Sequence, residues 1–141
     1  MMRVFARLGR VLLAAAMLVS CSMPMMEKGN QLEVSVRDYL QRLRWKDFYG
    51  AAVFMKEEYR EDFLTRMKGI EGLHLVNVTL IHMEPGNKQD EYQTVATIEY
   101  YILPSLVLKE KELRQKWVIF KADSWGSMAA WMIDSPFPEF P

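Results

Sequence analysis

The chain has 141 residues, half of them hydrophobic and 12% aromatic. That is enough for one domain with a packed core and too apolar for global disorder. Its 18 basic and 18 acidic residues cancel, which excludes the basic footprint of a nucleic-acid-binding domain. A single cysteine excludes an intramolecular disulfide and a thiolate metal cluster.

The charge is unevenly spread. Arg3, Arg7 and Arg10 are the only ionised side chains up to Ser20, so the remainder carries 15 basic and 18 acidic residues, a formal charge of −3. After the arginines comes an apolar run, Val11 to Val19, then Ser20 and Cys21. A positive flank, a short apolar core and a small residue before a cleavage point are the layout of an export signal. The run is too short for a spanning helix, which needs about 20 apolar residues.

Leu18-Val19-Ser20-Cys21 resembles the lipobox of bacterial lipoproteins. The resemblance implies a signal peptide over 1–20, cleavage between Ser20 and Cys21, and a diacylglycerol on the Cys21 sulfur followed by acylation of the new amino group. Thiolate is the side-chain nucleophile best suited to taking a lipid, and two or more acyl chains make an anchor stable where one is marginal. Ser22 rather than Asp follows the cysteine, which by resemblance to enterobacterial sorting implies the outer membrane, facing the periplasm. Residues 21–29 are expected to form a lipidated tether, with the folded domain over 30–134.

Asn30 with Glu33 has the spacing of a capping box. Leu32, Val36, Tyr39, Leu40 and Leu43 then recur at helical spacing, predicting an amphipathic helix from Gln31 to Arg44. Asp47 is expected to cap a short second helix through Phe48, Ala51, Ala52 and Met55. A third runs from Glu57 to Lys68 with Tyr59, Phe63 and Met67 on one face, Gly69 ends it, and Gly72 allows the turn beyond. From Leu73 to Met83 the composition turns β-branched and aliphatic and predicts a strand. The segment Glu84 to Glu91 holds Pro-Gly-Asn and reads as a loop. Tyr92 to Leu103 is a second strand ended by Pro104. Leu106 to Leu108 is expected to extend it before Lys109 to Glu112 turn the chain. Leu113 to Lys121 and Met128 to Asp134 are the last two strands, with a turn at Asp123 to Ser127 between them. A proline-punctuated tail occupies 135–141.

Helices followed by an antiparallel meander define an α+β domain with the helices packed on a curved sheet of at least four strands. The helix Leu32 to Leu43, the Trp45-Lys46-Asp47 junction and the late pairs Trp117 to Lys121 and Trp131 to Asp134 resemble the nuclear transport factor 2-like superfamily, a cone-shaped fold. A cystatin-like fold is the alternative. The resemblance implies a hollow between helices and sheet, and it allows a homodimer through the open sheet face.

Chemistry-bearing residues are sparse. His74 and His82, eight apart on one strand, would sit on the same face but about 27 Å apart, too far to share a metal. No metal site and no cofactor is expected. Serine elbows, phosphate-cradling glycine loops and zinc-protease motifs are absent from the sequence. If the cone held an acid–base site, as enzymes of the resembled fold do, its residues would come from Tyr39, His74, Glu99, Tyr101 and Asp134. The sequence favours a non-catalytic reading. The expectation is a membrane-tethered envelope lipoprotein that binds an envelope protein or an apolar small molecule. A lipid-anchored enzyme and an accessory subunit of an envelope complex are the alternatives. Trp125, in a predicted turn, and Phe137 and Phe140, in the tail, are the candidate partner contacts. An enzyme requires a pocket with a carboxylate or histidine hydrogen-bonded inside it. A subunit requires a filled interior and an exposed apolar patch.

Overall fold

The computed structural model describes residues 28–121 and 129–141. Among them the order is α1 (Lys28–Arg44), α2 (Phe48–Ala52), α3 (Glu57–Gly69), β1 (Leu73–Pro85), β2 (Glu91–Ile102), β3 (Lys109–Phe120) and β4 (Ala130–Ile133). The strands form one antiparallel sheet in the order β1-β2-β3-β4, and the helices pack on one face of it. The class is α+β, as expected.

On α1 the predicted stripe is the buried one, with Leu32, Val36, Tyr39, Leu40 and Leu43 all in the core. The predicted start is wrong. The helix is already formed at Lys28, so Asn30 lies inside it and does not cap it, and the tether loses Lys28 and Gly29 to the domain. Glu33 pairs forward with Arg37 at 2.8 Å instead of turning back to cap, a helical i,i+4 pair that supports continuous helix. The C-terminus closes in a Schellman motif. Lys46 takes a left-handed φ of 59°, its amide donates to Leu43 O at 2.9 Å, and the Asp47 amide donates to Arg42 O at 2.9 Å. Asp47 then caps α2 through Oδ1, which accepts from the Gly50 amide at 2.9 Å.

Two corrections concern β1. It runs on to Pro85, and its alternation slips twice. Leu75 pairs with Tyr100 and Asn77 with Glu99; Leu80 pairs with Ala96 and His82 with Val95. Val76 and Ile81 are the extra residues of two β-bulges. The inward set is therefore Leu73, Leu75, Val78, Leu80 and Met83, all packed on the core, while Val76 and Ile81 are left exposed. His74 and His82 stay on the outer face because two slips restore the parity.

Lys109 to Glu112 do not turn the chain. They are the first residues of β3, opposite Tyr100 to Thr97 of β2. The reversal is made upstream, through Leu103 to Leu108, so Leu106 to Leu108 are loop and not strand. Long β2 needs partners along its whole length, and the alternating Lys-Glu-Lys-Glu segment supplies them while keeping its ionised ends in water. The last strand is shorter than expected, and the predicted turn at 123–127 lies outside the described residues. Extended chain at Phe54–Lys56 runs alongside β4: the Ile133 amide donates to Phe54 O at 2.7 Å, and the Lys56 amide to Ile133 O at 3.0 Å.

Trp117, Tyr39, Phe63, Leu32, Leu43, Met55 and Met67 fill the space between helices and sheet, each under 3% exposed. The Trp117 indole donates to Thr94 Oγ1 at 3.1 Å, and Gln115 Nε2 donates to Tyr39 Oη at 2.8 Å, so the buried polar atoms here are paired. The tail belongs to this core. Phe137 lies against Phe63 with ring centres 5.0 Å apart, and Phe140 against Tyr100 at 4.6 Å. The domain thus extends past Asp134 to the end of the chain.

Candidate interaction surface

Among the described residues, four of the eleven exposed large apolar side chains lie together in the β2–β3 loop, the others, Trp45, Tyr49 and Val53 among them, being spread over other elements. Leu103, Leu106, Val107 and Leu108 are 47%, 77%, 65% and 54% exposed. The loop is tied down at its start, where the Leu103 amide donates to Gly72 O at 3.0 Å. Gly72 has a φ of +71°, and a Cβ there would meet Leu103 backbone atoms at 3.1 Å, so this close approach requires glycine. Ser105 Oγ accepts from the Val107 amide at 3.3 Å. Isolated exposed leucines are ordinary; four apolar residues within six positions form a patch of the kind that marks a contact surface.

The domain has two distinct ends. At the loop end, α1 finishes and Lys46 Nζ donates to Leu73 O at 2.9 Å. At the other end α1 begins, and Gln31 and Ser35 border an open hollow of about 420 Å³ with Val53, Phe54 and β4's Ala130 to Met132. The β1–β2 hairpin turn and the end of β3 lie at this same end, where Lys56, Lys88, Asp90, Glu91, Phe120 and Lys121 line a second open hollow of about 490 Å³. Helix α1, 17 residues at 1.5 Å each, separates the two ends by about 25 Å.

The candidate acid–base residues do not converge. Tyr39 is wholly buried, and burial pushes its hydroxyl above its ordinary value against the opposing pull of Gln115. His74 and Tyr101 are cross-strand partners on the outer face, stacked with ring centres 4.8 Å apart. Glu99 is also on the outer face, between Asn77 and Glu110. Asp134 lies just beyond β4, where Lys56 reaches it at 2.8 Å and Lys116 at 3.1 Å. Burial pushes the Asp134 carboxyl up, but hydrogen bonds and charge from the two lysines overcome this and hold it below the ordinary carboxylate value. One residue in the core, three on the outer face and one in an ion-pair triad share no volume that a substrate could enter.

Phe137 and Phe140, expected as partner contacts, are 2% and 8% exposed and serve the core instead. A tail of proline-fixed extended chain gains more by burying two rings on its own domain than by leaving both in water. Ser20, Cys21 and Trp125 lie outside the described residues. Among the described residues no three His, Cys, Asp or Glu side chains group as metal ligands, and no helix is long and apolar enough to cross a membrane. The loop patch was missed by sequence reasoning because Leu106-Val107-Leu108 fits a strand pattern. The signal available was Pro104-Ser105, a break that strand residues do not follow without a turn.

These observations define an α+β domain of helices on an open four-stranded antiparallel sheet. The same architecture is found in a SEC-C motif containing protein from Psychrobacter arcticus, with a TM-score of 0.57 at 10% identity. The match covers 79% of this chain and 63% of that one, so the chain spans less than two thirds of that neighbour. At this identity the similarity shows the fold alone. No family model matches the sequence, and no curated protein matches it.

Proposed function

We propose that the protein is a lipid-anchored envelope lipoprotein, non-catalytic, held by Cys21 at the outer membrane on the periplasmic side. Its role is to bind a partner, as an accessory subunit of an envelope complex. The observation that carries the binding role is a filled interior paired with an exposed apolar loop, Leu103 to Leu108. A deep site with a hydrogen-bonded carboxylate or histidine would favour an enzyme, and an empty apolar hollow would favour a carrier of apolar small molecules. Between α1 and the sheet, Tyr39 and Trp117, buried with ring centres 5.8 Å apart, take up that volume. The order of helices and strands supports a nuclear transport factor 2-like cone as the finer description of the fold, here with its cone closed by side chains.

The address is tested by intact mass of protein extracted from bacterial membranes, beside Cys21→Ala. We expect a chain starting at Cys21 with added acyl mass, and loss of both lipid and membrane fractionation in the variant. An unacylated wild-type chain would remove the anchor reading. The binding role is tested with Leu106→Asp/Val107→Asp, substitutions at exposed positions that leave folding intact. A photocrosslinker at position 108 should give one discrete adduct in cells, lost in the double variant. An adduct that persists in the variant would dismiss the loop.

A further inference from the structure

The end of the domain where α1 begins has the composition of a surface that rests on lipid. Phe120 is the last residue of β3, 48% exposed, and its neighbour Lys121 is exposed beside it. Lys88, also exposed, lines the same hollow. Four carboxylates are close by, and two of them, Glu57 and Glu58, are exposed and border Phe120 in an adjoining hollow with Lys56 and Arg60. Glu91 is buried, and its Oε1 accepts from the Asn87 amide of its own hairpin at 3.2 Å; Asp90 is half-exposed. Lys56, the third lysine of the hollow, is held by Asp134. An aromatic ring flanked by lysines suits the boundary between acyl chains and headgroups, where the ring is half-apolar and the ammonium groups reach the phosphates.

The position of this end in the chain selects the occupant. Six residues, Ser22 to Glu27, separate Cys21 from the start of α1, a span of about 20 Å at most. An anchor at Cys21 therefore holds this end near the bilayer, whereas the apolar loop lies about one helix length further away. A short tether also raises the local concentration of lipid at the patch, so weak contacts suffice.

We propose that this end of the domain docks on the bilayer surface, with Phe120 at headgroup depth and Lys88 and Lys121 on acidic phospholipid headgroups. The proposal rests on the lipid-anchor reading. It fixes the orientation: the domain stands on the membrane by its α1-start end and turns Leu103 to Leu108 toward the periplasm.

The test uses the acylated full-length mature protein in phosphatidylcholine vesicles with phosphatidylglycerol and a headgroup-nitroxide lipid. Acylation occupies the one natural thiol, so a cysteine introduced at Gln89→Cys or Val107→Cys takes a fluorophore specifically. We expect the label at 89 to be quenched several-fold more than that at 107, and Lys88→Glu/Lys121→Glu to bring the two together without loss of co-flotation. Equal quenching at both positions in protein that still co-floats would overturn the docking alone. Quenching at 89 that survives the charge reversal would overturn the headgroup role of the lysines. Protein without acyl mass that fails to co-float would overturn the anchor reading and the docking with it.

Discussion

Replacing Phe137 with alanine asks whether the tail is a structural part of the domain or a ligand waiting for a groove. Phe137 is 2% exposed and sits 5.0 Å from Phe63, the buried ring at the centre of α3, and 6.2 Å from Phe140. Phe63 in turn meets Phe48 edge-on at 6.2 Å, and Phe140 lies 4.6 Å from Tyr100 on β2. The tail rings therefore bridge α3 to the sheet. A buried phenylalanine removes roughly 150–250 Å² from water, worth about 4–6 kcal/mol at 25 cal/mol per Å². Measured Phe→Ala losses run about 3–5 kcal/mol. A site near a chain end can collapse more than one in mid-domain, so we expect about 3 kcal/mol. With a urea m-value of about 1–3 kcal/mol per molar, the midpoint of urea unfolding should fall by at least about 1 M. The exposed-loop variant Leu106→Asp is the control and should stay within about 0.5 kcal/mol of wild type. A Phe137→Ala loss below about 1 kcal/mol would refute the reasoning and return the tail to the candidate partner contacts.

Two further outcomes follow from the buried and half-buried polar groups. Asp134→Asn removes the carboxylate that Lys56 and Lys116 share, and should cost about 1 kcal/mol at pH 7. Because the folded state holds that carboxyl below its unfolded value, its contribution is complete above about pH 4 and disappears as pH falls through the folded value. The gap between wild type and variant in chemical denaturation should therefore close progressively as pH falls below about 4, and a gap that widened there would contradict the ion-pair account. Tyr39 should remain protonated until the protein unfolds in alkali, since burial disfavours its phenolate. Absorbance titration near 295 nm should show a component that ionises only with unfolding and is missing from Tyr39→Phe. That variant should also lose about 1–3 kcal/mol, because Gln115 is left without its partner inside the core. An unchanged late component would mean that another tyrosine is responsible.

Helical periodicity was legible wherever burial is one-sided. The stripe on α1 and the Tyr59-Phe63-Met67 face of α3 need no tertiary information, because a helix facing a sheet must be apolar on that side. The capping-box spacing at Asn30 misled because its residues also suit a helix interior, and forward pairing of Glu33 with Arg37 keeps the helix going. On β1 the apolar order 73, 75, 78, 80, 83 fits neither strict alternation nor a helix. It becomes regular only once the two bulges opposite β2 are known. The Lys-Glu-Lys-Glu segment was read as a turn because charge marks solvent, but an outer strand end is also solvent. The spread of Tyr39, His74, Glu99, Tyr101 and Asp134 over core, outer face and strand end depends on register, which one residue of slippage inverts.

The sheet edges bear on how a partner would engage the domain. An open sheet recruits other chains most readily by adding a strand along an edge. Here both edges resist that mode. On the β4 side, the Ile133 amide and carbonyl are already bonded to Phe54 and Lys56. On the β1 side, the bulges at Val76 and Ile81 interrupt the regular spacing that a thirteen-residue strand would otherwise present, and extra twist at each bulge turns the edge away from a flat partner. The outer face is lined by Glu99, Glu110, Glu112 and Arg114, ionised side chains that are costly to desolvate. Recognition through strand addition or through the outer face is therefore disfavoured, which favours the exposed loop at Leu103 to Leu108 over the sheet as a contact surface. If the chain is anchored at Cys21 as proposed, the placement of this loop about 25 Å from the start of α1 suits a partner reached away from the membrane rather than one lying in the same bilayer.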